Sequence, residues 1–132
     1  MLSKIYKLPL KGLVKPLSDT PTPVIRHAVV EALSVPEKLL NKENLAKNVD
    51  NVVKSMEFHS VSSFTHFFKP YGISYLVVLE ESHIAIHTWP EKGYIHLDVV
   101  TCTVEDMDVE KLIKVVSEIF DTKDVRLLRL DY

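Results

Sequence analysis

The stretch SHIAIHTWPEKGYIHLDVVTCT, residues 82–103, decides the fold because it holds two alternating segments joined by a short turn. Apolar side chains recur at every second position in both segments, which is the period of a β-strand with one buried face. The sequence PEKG at residues 90–93 breaks the pattern, so we predict a hairpin of two neighbouring strands. On neighbouring strands, the Ser82 hydroxyl, the His87 imidazole and the Cys102 thiol are expected to lie within reach of one another.

The flanking sequence supplies the other elements of one domain, residues 24–132. Strand-like runs of apolar and β-branched residues occupy residues 24–35, 58–68, 73–80 and 125–130. Apolar residues recur at helical spacing over residues 42–56, after the predicted N-cap Asn41, and again in the segment that follows Asp106. This order of elements predicts an α+β fold, a two-layer sandwich of a mainly antiparallel sheet with two helices packed on one face.

Residues 1–23 differ from the rest of the chain and are interpreted as an N-terminal arm. Lysines are interleaved with leucines there, and any long helix is interrupted by Pro9, Pro16, Pro21 and Pro23. A flexible tail is one interpretation of this composition. An arm that packs on a partner subunit is the other, because several apolar side chains need cover, namely Ile5, Tyr6, Leu8, Leu10, Leu13 and Val14.

The composition is that of a soluble globular protein, with 132 residues, of which 46% are hydrophobic and 26% charged. The net charge of −2 argues against a nucleic-acid partner, since phosphate binding normally shows as a basic domain. No run approaches the roughly 20 apolar residues that span a bilayer, and no secretory signal is recognisable, so we expect a cytoplasmic protein without a membrane partner. The single cysteine, Cys102, is either a buried apolar residue or a reactive thiol.

Several short motifs follow one another between residues 64 and 103. They are FKPYGIS at 68–74, ESH at 81–83, HTWPE at 87–91, and then Asp98 and the pair Thr101 and Cys102. In this order and spacing they resemble the signature of the prokaryotic S-adenosylmethionine decarboxylase proenzymes, which are pyruvoyl-dependent enzymes of polyamine and spermidine synthesis. The resemblance is loose over the rest of residues 24–132 and absent from the arm.

The resemblance implies that the chain cuts itself between Glu81 and Ser82, into a β chain of residues 1–81 and an α chain of residues 82–132. The Ser82 hydroxyl attacks the Glu81 carbonyl, the resulting ester is lost by β-elimination, and hydrolysis leaves a covalent pyruvoyl group at the new N-terminus. That ketone forms a Schiff base with the amine of S-adenosylmethionine and accepts electrons as carbon dioxide leaves, so no external cofactor is needed.

The same resemblance assigns roles to five further residues. It implies that His87 removes the serine α-proton during elimination and that Cys102 reprotonates the product carbon, tasks that suit an imidazole and a thiol. It implies that Phe68 stacks on adenine, that Ser74 lies near the pyruvoyl group and that Glu91 is a carboxylate of the site. The implied partners are a small-molecule substrate and a second processed copy, in a homodimer or a higher oligomer.

Other functions stay open. The strand at 26–34 lacks the Tyr-Gly pair common in the family, and Tyr75 and Glu80 stand where smaller residues are usual, which puts the substrate in question. Arginine or another basic amino acid is the alternative substrate, although the Phe-x-Pro-x-Gly pattern favours a ligand with an adenine. A processed but catalytically idle subunit that regulates a paralogue is a third interpretation.

Two other chemistries are set aside. His83 and His87 are four residues apart on one strand, too far apart to share a tetrahedral ion, so no metal site is expected. A Ser-His-Asp hydrolase built from Ser82, His87 and Asp98 is also disfavoured. Its serine would be expected between glycines on a strand-to-helix turn, and Ser82 has no such setting.

Overall fold

The computed structural model describes residues 4–15, 17 and 22–132, and these form seven strands and two helices. The strands are β1 (Lys4–Pro9), β2 (Arg26–Ala32), β3 (Ser60–Phe67), β4 (Ile73–Leu79), β5 (Ser82–Trp89), β6 (Tyr94–Thr101) and β7 (Val125–Asp131). The helices are α1 (Leu45–Ser55) and α2 (Val109–Ile119), and single 3₁₀ turns occupy Glu37–Leu40 and Pro90–Lys92. Within the described residues, neither helix is long and apolar enough to cross a membrane.

The seven strands form one sheet in the order β1-β7-β2-β6-β5-β4-β3. Every neighbouring pair is antiparallel except β1 and β7, which run parallel. The predicted hairpin is confirmed, since β5 and β6 pair from Ser82 opposite Thr101 to Trp89 opposite Tyr94. The predicted α+β class is confirmed as well.

Both helices pack on one face of the sheet and close the hydrophobic core. Core-facing positions alternate with outward positions along the central strands, and the fully buried side chains there include Ile84, Ile86, Ile95, Leu97 and Val99. The helices add one apolar stripe each, Leu45, Val49, Val52 and Val53 on α1 and Val109, Leu112, Ile113 and Val116 on α2. We call the opposite face of the sheet the open face; its side chains include His27, Ser74, Leu76, Val78, His83, His87, His96 and Asp98.

The first helix begins later than the sequence predicts. The side chain of Asn41 accepts hydrogen bonds from the amides of Glu43 and Asn44 at 3.1 and 2.9 Å, and its carbonyl oxygen accepts one from Leu45 at 3.0 Å. These bonds build a turn ahead of the helix, which then starts at Leu45. Asn41 therefore satisfies amides of the preceding turn and does not occupy the N-cap position.

The N-terminal arm is partly built into the sheet. β1 pairs with β7 along its whole length, and Ile5 packs against the core. Residues 4–9 are therefore an edge strand and not a free tail, because their backbone groups pair with those of β7. Leu13 and Leu17 are 80% and 92% exposed. The remaining arm residues, 1–3, 16 and 18–21, lie outside the described residues, and a contact of the arm with a partner subunit stays a prediction.

Candidate active site

The turn between β4 and β5 carries the bond between Glu81 and Ser82. Glu80 and Glu81 interrupt the apolar pattern of β4, and the chain reverses there so that Ser82 pairs with Leu79. Ser82 has a φ angle of 152°, in a region that side chains other than glycine occupy only at a cost of about 1–3 kcal/mol. The backbone strain therefore lies at the serine that directly follows the bond.

Cys102 contacts this turn through its backbone and its side chain. Its amide donates a 2.9 Å hydrogen bond to the carbonyl oxygen of Glu81, and its sulfur lies 2.9 Å from the Ser82 hydroxyl oxygen. β6 ends at Thr101, opposite Ser82, so the next residue reaches the turn. The thiol is exposed, and the interpretation of Cys102 as a buried apolar residue is wrong. A hydroxyl, a thiol and a polarised carbonyl group thus meet at one turn.

The side chain of Glu81 is held by His59, a residue that lies outside the sequence motifs. The His59 amide donates to one carboxylate oxygen at 3.0 Å, and the Nδ1 atom of His59 lies 2.7 Å from the other. Burial raises the pKa of Glu81, but hydrogen bonds from His59 outweigh burial and the net shift of the pKa is downward. The same contact raises the pKa of His59. The signal that could have found His59 is its place just before β3, whose Ser60 pairs with Leu79 beside the turn.

A second cluster lies further along β5, around His87. The Nδ1 atom of His87 lies 2.6 Å from the hydroxyl oxygen of Ser74, its partner across the β4–β5 pair. Ser74 is buried, and the rings of His87 and His96, which pair across β5 and β6, are 6.2 Å apart. The buried hydroxyl therefore holds the imidazole in one orientation on the open face.

A cavity of about 480 Å³ opens beside this second cluster. Its walls include the four predicted residues Phe68, Ser74, His87 and Glu91, together with Tyr71 and Trp89. Gly72 lets the β3–β4 turn approach β5, because its φ angle is 107° and a Cβ atom there would lie 3.2 Å from the carbonyl oxygen of Thr88. The structure thus brings the predicted substrate-binding residues together around one cavity with aromatic walls and a carboxylate.

The two clusters are well separated within one chain. Ser82 and His87 are five residues apart on β5, which at about 3.3 Å per residue puts their Cα atoms roughly 16 Å apart. The expectation that Ser82, His87 and Cys102 lie within reach of one another is therefore wrong for a single chain, although their strands are neighbours as predicted. The reason is the antiparallel register, which brings Cys102 to one end of β5 and leaves His87 near the other.

Asp98, on β6, contacts two other histidines of the open face. Its carboxylate oxygens lie 2.7 Å from Nε2 of His27 and 3.7 Å from Nε2 of His83. The hydrolase triad considered above is therefore not assembled, since the carboxylate is engaged elsewhere. Over residues 4–15, 17 and 22–132, no three His, Cys, Asp or Glu side chains are grouped so that they could hold a metal ion.

Comparisons with known proteins identify the family. The family model described as S-adenosylmethionine decarboxylase matches residues 26–131. The chain belongs to the S-adenosylmethionine decarboxylase family. The S-adenosylmethionine decarboxylase proenzyme of Archaeoglobus fulgidus is 38% identical over 107 residues, which are 80% of this chain and 95% of that relative. The proenzyme of Pyrococcus furiosus is 39% identical over 98 residues, which are 74% of this chain and 70% of that relative.

A solved structure shares the fold of this S-adenosylmethionine decarboxylase family member. The crystal structure of the adenosylmethionine decarboxylase from Aquifex aeolicus matches with a TM-score of 0.71 at 24% identity, over 83% of this chain and 90% of that chain. The family match begins at Arg26, the first residue of β2, so β1 lies outside the matched region.

Proposed function

We propose that this chain is a self-processing S-adenosylmethionine decarboxylase, which cuts its backbone between Glu81 and Ser82 and acts through a pyruvoyl group made from Ser82. The observation that carries the proposal is the contact of Cys102 with the turn, through its amide to the Glu81 carbonyl oxygen and through its sulfur to the Ser82 hydroxyl. Membership of the family and the naming of both relatives as proenzymes support it. Both relatives are named for S-adenosylmethionine, and none of these findings favours arginine as the substrate.

The first step of processing is an acyl shift within the turn. The Ser82 hydroxyl loses its proton and attacks the carbonyl carbon of Glu81, and negative charge develops on the carbonyl oxygen. The Cys102 amide already donates to this oxygen at 2.9 Å and would stabilise that charge. The carbon–nitrogen bond then breaks, the Ser82 nitrogen takes up a proton, and an ester replaces the amide. Cleavage also releases the backbone strain at Ser82, which favours the step.

The second step breaks the ester. A base removes the α-proton of Ser82, the carbon–oxygen bond breaks, and Glu81 leaves as the terminal carboxylate of the first fragment. Tautomerisation of the remaining enamine and addition of water release ammonia and leave a ketone at residue 82. We assign the base to His87 and the proton donor of the decarboxylation to Cys102, whose sulfur lies beside residue 82. When formed, the pyruvoyl group supplies an electron sink for the loss of carbon dioxide.

The cavity beside the second cluster suits the proposed substrate. Phe68 is 52% exposed and presents a ring on which adenine can stack, and Glu91 offers carboxylate oxygens to sugar hydroxyls. The volume of about 480 Å³ lies in the usual range for small-molecule sites. Decarboxylation there would yield decarboxylated S-adenosylmethionine, the aminopropyl donor for spermidine synthesis.

We further propose that two copies of the chain build each complete site. A separation of roughly 16 Å between Ser82 and His87 is too long for proton transfer within one copy, whereas a two-fold axis at the open face can bring Ser82 to His87 of the partner subunit. Leu76 and Val78 are 42% and 51% exposed on that face, which suits a protein contact. The assembly would be a homodimer of processed protomers or a higher oligomer of such dimers, with β4 and β5 of each copy still paired after cleavage.

Intact mass spectrometry of the purified protein tests the processing. We expect two fragments, residues 1–81 and 82–132, and the second should carry a terminal ketone that reacts with hydrazines. The Ser82→Ala variant should remain one chain, whereas Ser62→Ala, at an exposed serine of β3, should be cut like the wild type. A wild-type chain that persists at full length would overturn the proposal.

Release of carbon dioxide tests the substrate. Processed protein should decarboxylate S-adenosylmethionine and leave arginine and ornithine unchanged. The opposite preference would assign the chain to decarboxylation of a basic amino acid. Complete cleavage without any decarboxylation would instead support the idle regulatory subunit.

A further inference from the structure

We infer that His59 is a positioning residue for self-cleavage, because it holds Glu81 so that the carbonyl oxygen of the scissile bond stays on the amide of Cys102. The inference rests on the proposed self-processing function. It adds a residue that lies outside the motifs between residues 64 and 103.

Three contacts join His59 to the two residues that precede the cleavage point. The amide of Glu80 donates to the carbonyl oxygen of His59 at 2.8 Å. The amide of His59 donates to Oε1 of Glu81 at 3.0 Å, and Nδ1 of His59 lies 2.7 Å from Oε2. One residue thus engages both carboxylate oxygens of Glu81, which fixes the conformation of that side chain.

Burial makes this contact necessary for Glu81. The side chain of Glu81 is 15% exposed, whereas that of His59 is 71% exposed. A carboxylate so largely covered by protein needs hydrogen-bond donors in place of water, and His59 supplies two of them. The lowered pKa of Glu81 and the raised pKa of His59 agree with a contact in which each group stabilises the charged form of the other.

Glu81 is therefore anchored on two sides. Its carboxylate is bound to His59, and its carbonyl oxygen is bound to the amide of Cys102. Two anchors on one residue fix the plane of the peptide bond that follows it. Attack by the Ser82 hydroxyl needs the reacting atoms about 3–3.5 Å apart and aligned, so loss of one anchor lets the strained turn relax away from that geometry.

The rate of self-cleavage in three variants tests the inference. His59→Ala removes the imidazole and should slow cleavage about 10- to 100-fold, the scale expected when reacting groups are misplaced by about 1 Å. His59→Asn keeps a nitrogen donor near the position of Nδ1 and should recover most of the wild-type rate. Glu118→Gln, the matched control, changes an exposed carboxylate of α2 that has no contact with the turn and should leave the rate unchanged.

Further measurements separate positioning from general stability. Decarboxylation per processed protomer should be unchanged in His59→Ala, because the contact acts on cleavage. Thermal unfolding in the Ser82→Ala background, where chains stay uncut, should show similar Tm values for His59→Ala and His59→Asn. Adding Glu81→Gln to His59→Ala should slow cleavage no further than the slower single change, because both remove the same contact.

The outcomes distinguish this inference from the proposed function. If the wild type cleaves and His59→Ala cleaves at the same rate, the inference is overturned and the proposed function stands. Equal slowing of His59→Ala and His59→Asn with a matching loss of Tm also overturns it, since the effect is then on folding. If the wild-type chain does not cleave, its intact mass shows that the proposed function fails, and the inference fails with it.

Discussion

The amide of Cys102 donates a hydrogen bond of 2.9 Å to the carbonyl oxygen of Glu81. Cys102 therefore offers two different groups to the β4–β5 turn, since its sulfur also lies 2.9 Å from the Ser82 hydroxyl oxygen. A side-chain substitution removes the thiol and leaves the amide in place, so the contributions of the two groups to cleavage and decarboxylation can be separated.

Cys102→Ala is expected to cleave itself but to decarboxylate poorly. The retained amide still stabilises the charge on the Glu81 carbonyl oxygen, whereas loss of the proton donor should lower kcat about 10²- to 10⁴-fold, the usual range for general acid catalysis. Intact mass reports the cleavage, and release of carbon dioxide reports kcat. A variant that is fully cleaved and fully active would remove the thiol from the mechanism.

Coexpression of two inactive variants should restore activity if sites are shared between copies. Ser82→Ala retains His87, and His87→Ala retains Ser82, so a mixed dimer contains one complete site and one that lacks both groups. Random pairing of equal amounts should give about a quarter of the wild-type activity, because about half of the dimers are mixed. Each variant expressed alone should be inactive. Absence of restored activity in dimers shown to be mixed would contradict the two-copy site.

Phe68→Ala should weaken binding of S-adenosylmethionine. Stacking of a base on an aromatic side chain contributes about 1–3 kcal/mol, which corresponds to a rise in KM of about 5- to 150-fold. Phe64→Ala is the matched control, because Phe64 is 64% exposed on β3, close in sequence to Phe68, and does not line the cavity. Steady-state kinetics of the processed proteins would measure both, and equal KM values would reject the adenine platform.

The stability of the fold should fall at acid pH, because protonation of Asp106 removes a stabilising charge. A hydrogen bond from the nearly buried Arg129 lowers the pKa of Asp106 in the folded state. Asp106 therefore stabilises the fold above its unfolded-state pKa, and this contribution is lost as the pH falls through the lowered folded-state value. The Tm difference between wild type and Asp106→Asn should be largest at neutral pH and shrink on acidification. Glu118→Gln, at an exposed carboxylate of α2, should show no such trend.

Local sequence pattern was sufficient to predict most strands and both helices. The alternation in residues 82–103 encodes β5 and β6 because one side of each strand must be buried, and the apolar stripe of α2 encodes a helix for the same reason. Such local patterns do not identify which strands pair with each other or which side chains form hydrogen bonds. The parallel pairing of β1 with β7 joins the two ends of the chain, and the turn built by Asn41 depends on hydrogen bonds that composition does not report.

By itself, the sequence determined the α+β class, the resemblance to the family and the identities of the candidate site residues, because hydrophobic period and motif order are local properties of the chain. Only the tertiary structure decided which of those residues meet. It sets Cys102 beside Ser82 at one end of β5 and Ser74 beside His87 near the other, and it adds His59 at the side chain of Glu81. The physical reason is strand register, since backbone pairing across neighbouring strands fixes which side chains face each other, and that pairing joins residues far apart in the chain.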